Sequence, residues 1–258
     1  MAEMYDDKNT VQRSFDPGFL TEEQLQAQWA EFIELKKILY ELFIKKNRPL
    51  KILDIGIGNA RVPKHLAKIK EVWDMVGRYD GTDNAQNCIE LAEEVISKER
   101  LDKVNVFFLD AVDLYKLNRK YDLVITTWFT AGNFYPAGFP FETYAGSGVQ
   151  LDLSKNEKFE KIFSAAYDLL EPGGEIVIGA CYLDNERTRE RQEAFYKKAG
   201  MTVISSPSDS FTATKERFWS QRFTHQKMIE YFHFVEPGKI SFIPLDTYEF
   251  AMQVRIKK

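Results

Sequence analysis

Residues 51–61, KILDIGIGNAR, combine an apolar run, an acidic residue and two closely spaced glycines. An apolar run that opens into a small-residue turn is typical of a buried first strand that presents a ligand to the N-terminus of the next helix. Gly56 and Gly58 have no side chains that would keep the backbone away from that ligand. The segment therefore predicts binding of a nucleotide-like molecule, with a tight turn that binds nothing as the alternative.

The spacing after the glycines separates two kinds of nucleotide site. A dinucleotide fingerprint, G-x-G-x-x-G, requires a third glycine at position 61, where Arg61 stands. The segment instead follows Asp-x-Gly-x-Gly-x-Ala from Asp54 to Ala60. In this it resembles motif I of the class I S-adenosylmethionine-dependent methyltransferases, with Ala60 in place of the last glycine. Arg61 is expected to be a surface residue at the start of the helix.

Four further segments follow in the order that this resemblance implies, at residues 79–84, 104–111, 121–128 and 169–179. The resemblance implies that the glycine segment lines the methionine portion of the cofactor and that Asp110 binds the adenine amino group. Asp83 is expected to accept hydrogen bonds from the ribose hydroxyls, with Asp80 as the second choice. The residues assigned to the cofactor are Asp54, Gly56, Gly58, Asn59, Ala60, Asp83, Asn84, Asp110, Ala111 and Thr127.

The implied fold is a doubly wound, Rossmann-like α/β methyltransferase domain covering residues 1–258. We expect a mainly parallel seven-stranded sheet with helices on both faces and a C-terminal antiparallel hairpin at 239–257. Residues 1–47 would form a cap segment and a helix, 48–181 the cofactor-binding core, and 182–258 a C-terminal half with a lid or insert around 201–224. Residues 201–205 are predicted to form a strand and 211–224 an extra hairpin. Pro172 is expected to stop the helix that precedes the fifth strand.

The N-terminal helix is predicted over residues 21–47, where Thr21 and Gln24 have the spacing of a capping box. Eight residues recur near helical spacing and are expected to pack beside the sheet. They are Leu25, Trp29, Phe32, Ile33, Lys36, Leu39, Tyr40 and Phe43.

A long aromatic loop rich in Gly and Pro follows the predicted fourth strand, at residues 127–144. Such a loop packs on the domain or covers a ligand, and the resemblance places it beside the transferred methyl group. The acceptor-pocket candidates are Trp128, Phe129, Asn133, Phe134 and Tyr135. Aromatic faces can hold a cationic amine, which favours nitrogen over oxygen as the acceptor atom. A hydrophobic plug over the end of the sheet is the alternative.

Methyl transfer from a sulfonium needs alignment of the acceptor more than a catalytic group, so no catalytic residue is assigned. The three histidines, His65, His225 and His233, are expected to be structural or surface residues. Cys88 and Cys181 are expected to be small buried side chains, because two cysteines indicate neither a disulfide framework nor a metal cluster. No metal is expected.

Net charge is −4 and the isoelectric point about 5.6, which argues against strong binding to nucleic acid or an anionic membrane. The loop also lacks the (Asp/Asn)-Pro-Pro-(Phe/Tyr) motif of adenine-modifying methyltransferases. Residues 1–8 are acidic and lack an apolar core, so we expect a cytoplasmic protein. The preferred function is S-adenosylmethionine-dependent methylation of a small molecule. A homodimer is compatible with the sequence.

Four alternatives remain. The acceptor could be a protein side chain or RNA, which a basic surface stripe would support. The protein could bind S-adenosylmethionine without catalysis. It could be a nicotinamide-dependent oxidoreductase, which Arg61 and the Asp54 pattern disfavour. It could be an aminopropyl transferase, but residues 126–132 contain no acid that would bind a polyamine.

Overall fold

A seven-stranded sheet organises the residues that the computed structural model describes. These are Tyr5, Lys8, Val11, Phe15, Gly18 and residues 20–144, 151–246 and 249–258. The strands of this sheet are β1 Leu50–Ile55, β2 Val76–Asp83, β3 Val104–Phe108, β4 Tyr121–Thr126, β5 Leu170–Tyr182, β8 Ile240–Pro244 and β9 Ala251–Lys257. A separate two-stranded ribbon consists of β6 Phe211–Ala213 and β7 Trp219–Gln221.

The helices alternate with the strands through the first two thirds of the chain. They are α1 Glu22–Lys46, α2 Arg61–Ala67, α3 Lys70–Asp74, α4 Gln86–Glu99, α5 Phe141–Tyr144, α6 Glu157–Asp168, α7 Glu186–Lys198 and α8 His225–Tyr231. Short 3-10 helices lie at Ala111–Leu117, Thr130–Asn133 and Pro237–Lys239.

The strand order is β3-β2-β1-β4-β5-β9-β8. Neighbours from β3 to β5 are parallel, whereas β9 is antiparallel to both β5 and β8. This confirms the predicted Rossmann-like sheet with its antiparallel C-terminal hairpin. The order reverses between β1 and β4, so a crevice opens at the carboxyl ends of these strands.

Helices cover both faces of the sheet. On one face α1 contributes Leu35, Ile38 and Leu42 to a buried apolar cluster with β1. On the other face α6 contributes Phe159 and Phe163, which pack with the interior of β4 and β5. Burial on both faces explains why β4 reads as a continuous apolar run rather than as an alternating one.

The capping box of α1 is present, with Thr21 and Gln24 each accepting a backbone N–H of the other. The prediction of which α1 residues pack beside the sheet is partly wrong, however. Trp29, Ile33 and Tyr40 are 62%, 46% and 55% exposed. The buried face includes the polar residues Gln24 and Glu31, so apolar periodicity does not mark it.

Pro172 does not stop a helix, which corrects the sequence prediction. Helix α6 ends at Asp168 and β5 already begins at Leu170. The register of β4 on β5 then jumps from Tyr121 opposite Leu170 to Leu123 opposite Glu175. The Pro-Gly-Gly residues therefore form an irregularity within β5, and Gly173 has the left-handed φ of +69° that this needs.

The region predicted to be a lid or insert folds as a ribbon. The expected hairpin is present as β6 and β7. The strand expected at 201–205 is reduced to an isolated bridge between Val203 and Thr214. Within the predicted hairpin at 239–257, residues 247–248 lie outside the described residues, and β9 begins at Ala251.

Candidate functional site

A cavity of about 390 Å³ lies at the carboxyl ends of the central strands. Eleven of the fifteen site residues predicted from the sequence line it. They are Gly56, Gly58, Asp83, Asn84, Asp110, Ala111, Trp128, Phe129, Asn133, Phe134 and Tyr135. The structure thus brings the ends of β1, β2, β3 and β4 together around one space.

The glycine turn is held by β2. The N–H groups of Gly56 and Ile57 donate to Thr82 O at 2.8 and 2.9 Å. Gly56 and Gly58 have φ values of +78° and +57°. A Cβ on Gly56 would lie 2.7 Å from Thr130 Cγ2, so only glycine fits. Ala60 has φ +56°, a conformation that costs an alanine about 1–2 kcal/mol and that a glycine would adopt without this strain.

Asp83 connects two loops at the end of the cavity where β1 and β2 end. Its Oδ2 accepts the Gly58 N–H and its Oδ1 accepts the Ala85 N–H, both at 3.0 Å. Burial raises the pKa of the Asp83 carboxyl, and these backbone hydrogen bonds oppose that effect. Each carboxylate oxygen can accept a further hydrogen bond, so Asp83 can bind two neighbouring hydroxyl groups.

Asn84 and Asp110 are joined across the same end of the cavity. Asn84 Nδ2 donates to Asp110 Oδ2 at 3.1 Å. Asp110 Oδ1 in turn accepts the Val112 N–H at 3.1 Å and caps the following 3-10 helix. The carboxylate position is therefore fixed before any ligand binds.

Asp54, Asn59, Ala60 and Thr127 do not line the cavity, and their direct contact with the cofactor stays a prediction. Asp54 is buried and accepts a hydrogen bond from Tyr79 Oη at 2.6 Å. Burial raises the pKa of its carboxyl to about 7. Asp80, the second choice for the ribose, is also outside the cavity lining and is bound by Arg119 and Tyr121.

Arg61 begins α2 as predicted, but it is not a surface residue, because its side chain is only 16% exposed. Its guanidinium donates to Glu31 Oε2 at 3.1 Å and lies 5.5 Å from the Trp128 ring centroid. Glu31, on α1, is 2% exposed, and its Oε1 accepts the N–H groups of Trp128 at 2.8 Å and Ala180 at 2.7 Å. A buried acid thus joins α1, α2, β5 and the loop after β4.

The loop after β4 begins with two strained aromatic residues. Trp128 and Phe129 have φ values of +56° and +60°, which are unfavourable for bulky side chains. Glu31 holds the first through its N–H, and Ala180 O holds the second at 2.8 Å. Such strain persists only where the surroundings enforce it, and it is concentrated at functional sites.

Two distant parts of the chain complete the cavity. The sequence predicted a cap at 1–47 and a lid or insert around 201–224, but it did not identify which of their residues would line the cavity. Before the sheet, Tyr5, Phe15, Leu20 and Gln24 line it. After the sheet, lining residues come from the end of α7 and from the β6–β7 ribbon, namely Phe195, Tyr196, Lys198, Ala199, Gly200, Met201, Arg217, Phe218, Trp219 and Ser220. No local motif marks these residues, because only the folded chain brings them to the strand ends.

The histidines lie outside the cavity lining. His65 packs against Trp29 and Phe32, His225 stacks on Phe242, and His233 lies 3.9 Å from Glu160. Both cysteines are free and buried.

The described residues contain no group of His, Cys, Asp and Glu suited to a metal ion. Among them, no helix combines the length and apolarity needed to cross a membrane.

Comparison with known proteins agrees with the fold. A family model described as tellurite resistance protein TehB matches residues 30–131. This range includes the glycine turn, Asp83, Asp110 and the start of the aromatic loop. A search of curated proteins gives no match.

Solved methyltransferase structures resemble the chain over most of its length. One is the 1,6-didemethyltoxoflavin-N1-methyltransferase of Burkholderia thailandensis with its substrate and S-adenosylhomocysteine bound (12% identity, TM-score 0.56, 100% of this chain and 87% of that one). Another is an amino pentose methyltransferase of Micromonospora echinaspora with S-adenosylmethionine bound (14% identity, TM-score 0.53, 88% and 92%). An O-methyltransferase family protein of Burkholderia thailandensis shares 11% identity with a TM-score of 0.54. The alignment covers 87% of this chain but only 55% of that protein.

The sheet order, the glycine turn and the acidic residues after β2 and β3 define a Rossmann-like methyltransferase domain. The chain therefore has the fold of the class I S-adenosylmethionine-dependent methyltransferases, and its residues 30–131 match the TehB family model.

Proposed function

We propose that this protein transfers a methyl group from S-adenosylmethionine to a nitrogen or oxygen atom of a small-molecule acceptor. The observation that carries the proposal is the hydrogen bond from Gly58 N–H to Asp83 Oδ2 at the edge of the cavity. It joins a glycine turn that admits a ligand to a carboxylate that can bind a ribose.

The residues at the cofactor end suit S-adenosylmethionine. Gly56 and Gly58 allow the methionine portion to approach the backbone, Asp83 would bind the ribose, and Asp110 with Ala111 would lie at the adenine. When bound, the cofactor supplies an electrophilic sulfonium methyl group. Asp54 would support the glycine turn rather than contact the cofactor directly, because its carboxylate accepts a hydrogen bond from Tyr79.

The protein's part in the reaction is to align the acceptor and to exclude water. Trp128, Phe129 and Phe134 line the cavity and would form its acceptor end. The Glu31 hydrogen bonds fix the loop that carries the first two. None of the histidines lines the cavity, so we assign no general base. An acceptor that reaches the site unprotonated needs none.

A small acceptor is favoured over a protein or RNA by the surroundings of the cavity. Lining residues come from both the N-terminal segment and the β6–β7 ribbon, such as Phe15 and Trp219. Coverage from both sides suits a ligand that is enclosed. We retain the cytoplasm as the proposed compartment.

Transfer of a labelled methyl group tests this function. The protein is incubated with methyl-labelled S-adenosylmethionine and a cell extract, and label is measured separately in the small-molecule filtrate and in the retained protein and RNA. We expect label in the filtrate, lost with Asp83→Ala and kept with Asp102→Ala, a change at an exposed carboxylate outside the cavity lining. Label in the retained fraction would favour a macromolecular acceptor. Cofactor binding without any transfer would indicate a non-catalytic module.

A further inference from the structure

Charged residues divide the cavity into two ends. The carboxylates Asp83 and Asp110 lie at the cofactor end, after β2 and β3. The other end is formed by the loop after β4, the start of α6, the end of α7 and the ribbon. Among the described residues that line this second end there are three cations, Lys158, Lys198 and Arg217, and no carboxylate.

The aromatic faces at this end already have partners within the chain. Lys158 Nζ lies 5.0 Å from the Tyr135 ring centroid, and Arg61 Cζ lies 5.5 Å from that of Trp128. Phe129 stacks on Tyr182 at 3.7 Å with an interplanar angle of 9°. A cationic acceptor would meet the protein's own cations, so the structure counts against the amine expected from the aromatic loop.

Hydrogen-bond donors accompany these cations. Trp219 is 1% exposed and lines the cavity, and its Nε1 has no hydrogen-bond partner among the described residues. The Tyr135 and Trp219 ring centroids are 6.5 Å apart. The Trp219 indole therefore lies close to the Tyr135 ring, which Lys158 contacts. Since buried N–H groups are generally paired, a ligand oxygen is the partner that this position suits.

Arg217, two residues before Trp219, also lines this end of the cavity. It forms an ion pair with Glu142, and both side chains are largely exposed, at 45% and 64%. Exposed ion pairs contribute little to stability. A ligand carboxylate can therefore replace or supplement Glu142, whereas an ammonium ligand would be repelled.

We infer that the methyl acceptor is an aromatic acid, ionised at neutral pH, whose carboxylate is bound by Lys158 and Arg217. This inference rests on the proposed function and adds the chemical class of its substrate. The aromatic side chains would contact the ring system of the acceptor, and the carboxylate would lie at the cationic end, away from Asp83 and Asp110.

Three probes that share one ring system test the charge preference. They are 2-naphthoate, 2-naphthamide and 2-naphthylmethylamine, titrated calorimetrically into protein saturated with S-adenosylhomocysteine. We expect the acid to bind about tenfold more tightly than the amide, since hydrogen bonds to charged groups are the stronger ones, and the amine to bind most weakly. The preference for the acid should decrease as salt is added.

Matched variants assign the preference to the named cations. Lys158→Gln and Arg217→Gln should each reduce the ratio of acid to amide affinity about threefold or more. Lys161→Gln, an exposed residue of the same helix outside the cavity lining, should leave the ratio unchanged. Equal binding of the three probes, tighter binding of the amide or amine, or no binding of the acid would overturn the inference. Failure of S-adenosylhomocysteine itself to bind would instead overturn the proposed function.

Discussion

Substitution of the buried acid Glu31 should destabilise the domain strongly. Its carboxylate accepts three hydrogen bonds, from Trp128 N–H, Ala180 N–H and the Arg61 guanidinium. In Glu31→Ala all three donors lose this partner. Breaking a buried ion pair by removing one partner costs about 3–5 kcal/mol, and each unpaired backbone N–H costs about 1–3 kcal/mol if it stays dry.

These costs overlap, because the loop after β4 can relax and admit water. We therefore expect Glu31→Ala to lower the free energy of unfolding by about 3–5 kcal/mol. Glu31→Gln keeps an oxygen for the two N–H groups and loses the charge opposite Arg61. Its cost should be smaller, about 1–3 kcal/mol.

Urea unfolding followed by tryptophan fluorescence measures both values. Glu34→Ala, on the same helix and in a surface pair with Lys37, is the matched control and should cost at most about 1 kcal/mol. A loss in Glu31→Ala no larger than that of the control would refute the claim that this carboxylate holds the strained loop.

Other predictions follow from the same structure. Burial raises the pKa of Asp54 to about 7, so the native state binds more protons than the unfolded state between about pH 4 and 7, and stability from this group is lost as pH rises through that range. The free energy of unfolding of Asp54→Asn, relative to that of wild type, should therefore rise by up to about 4 kcal/mol between pH 4 and pH 8. Urea unfolding at several pH values measures it, and a difference between the two proteins that does not change with pH would contradict this. Gly179→Ala should lower stability by about 1–3 kcal/mol, because its Cβ would lie 2.8 Å from Glu31 Cδ and 3.0 Å from Thr127 Cα. Thermal unfolding measures this loss. An unchanged melting temperature would show that Glu31 and Thr127 can move away from the added Cβ without cost.

The parts of the site that could be predicted are those encoded in short segments. The two glycines and Asp54 occur within five residues, and each acidic candidate directly follows an apolar run. Because parallel strands end at the same edge of a sheet, local patterns were enough to place Gly58, Asp83 and Asp110 near one another.

The rest depends on contacts between distant residues. Glu31 resembles any acid on a helix surface until Arg61 and the N–H groups of Trp128 and Ala180 are brought to it by folding. The buried face of α1 contains this acid, so apolar spacing assigned Trp29 and Tyr40 to the wrong side. Likewise, the hairpin at 211–224 could be predicted as part of a lid or insert, but no pattern within it indicates which of its side chains would line the cavity.

The central claim is that the cavity binds S-adenosylmethionine through Asp83. Calorimetric titration of S-adenosylmethionine and of NAD into wild type, Asp83→Ala and the control Asp102→Ala tests it most directly. We predict micromolar binding of S-adenosylmethionine to wild type and to the control, loss of that binding in Asp83→Ala, and no binding of NAD. A folded wild-type protein that binds NAD, or that fails to bind S-adenosylmethionine, would contradict the account.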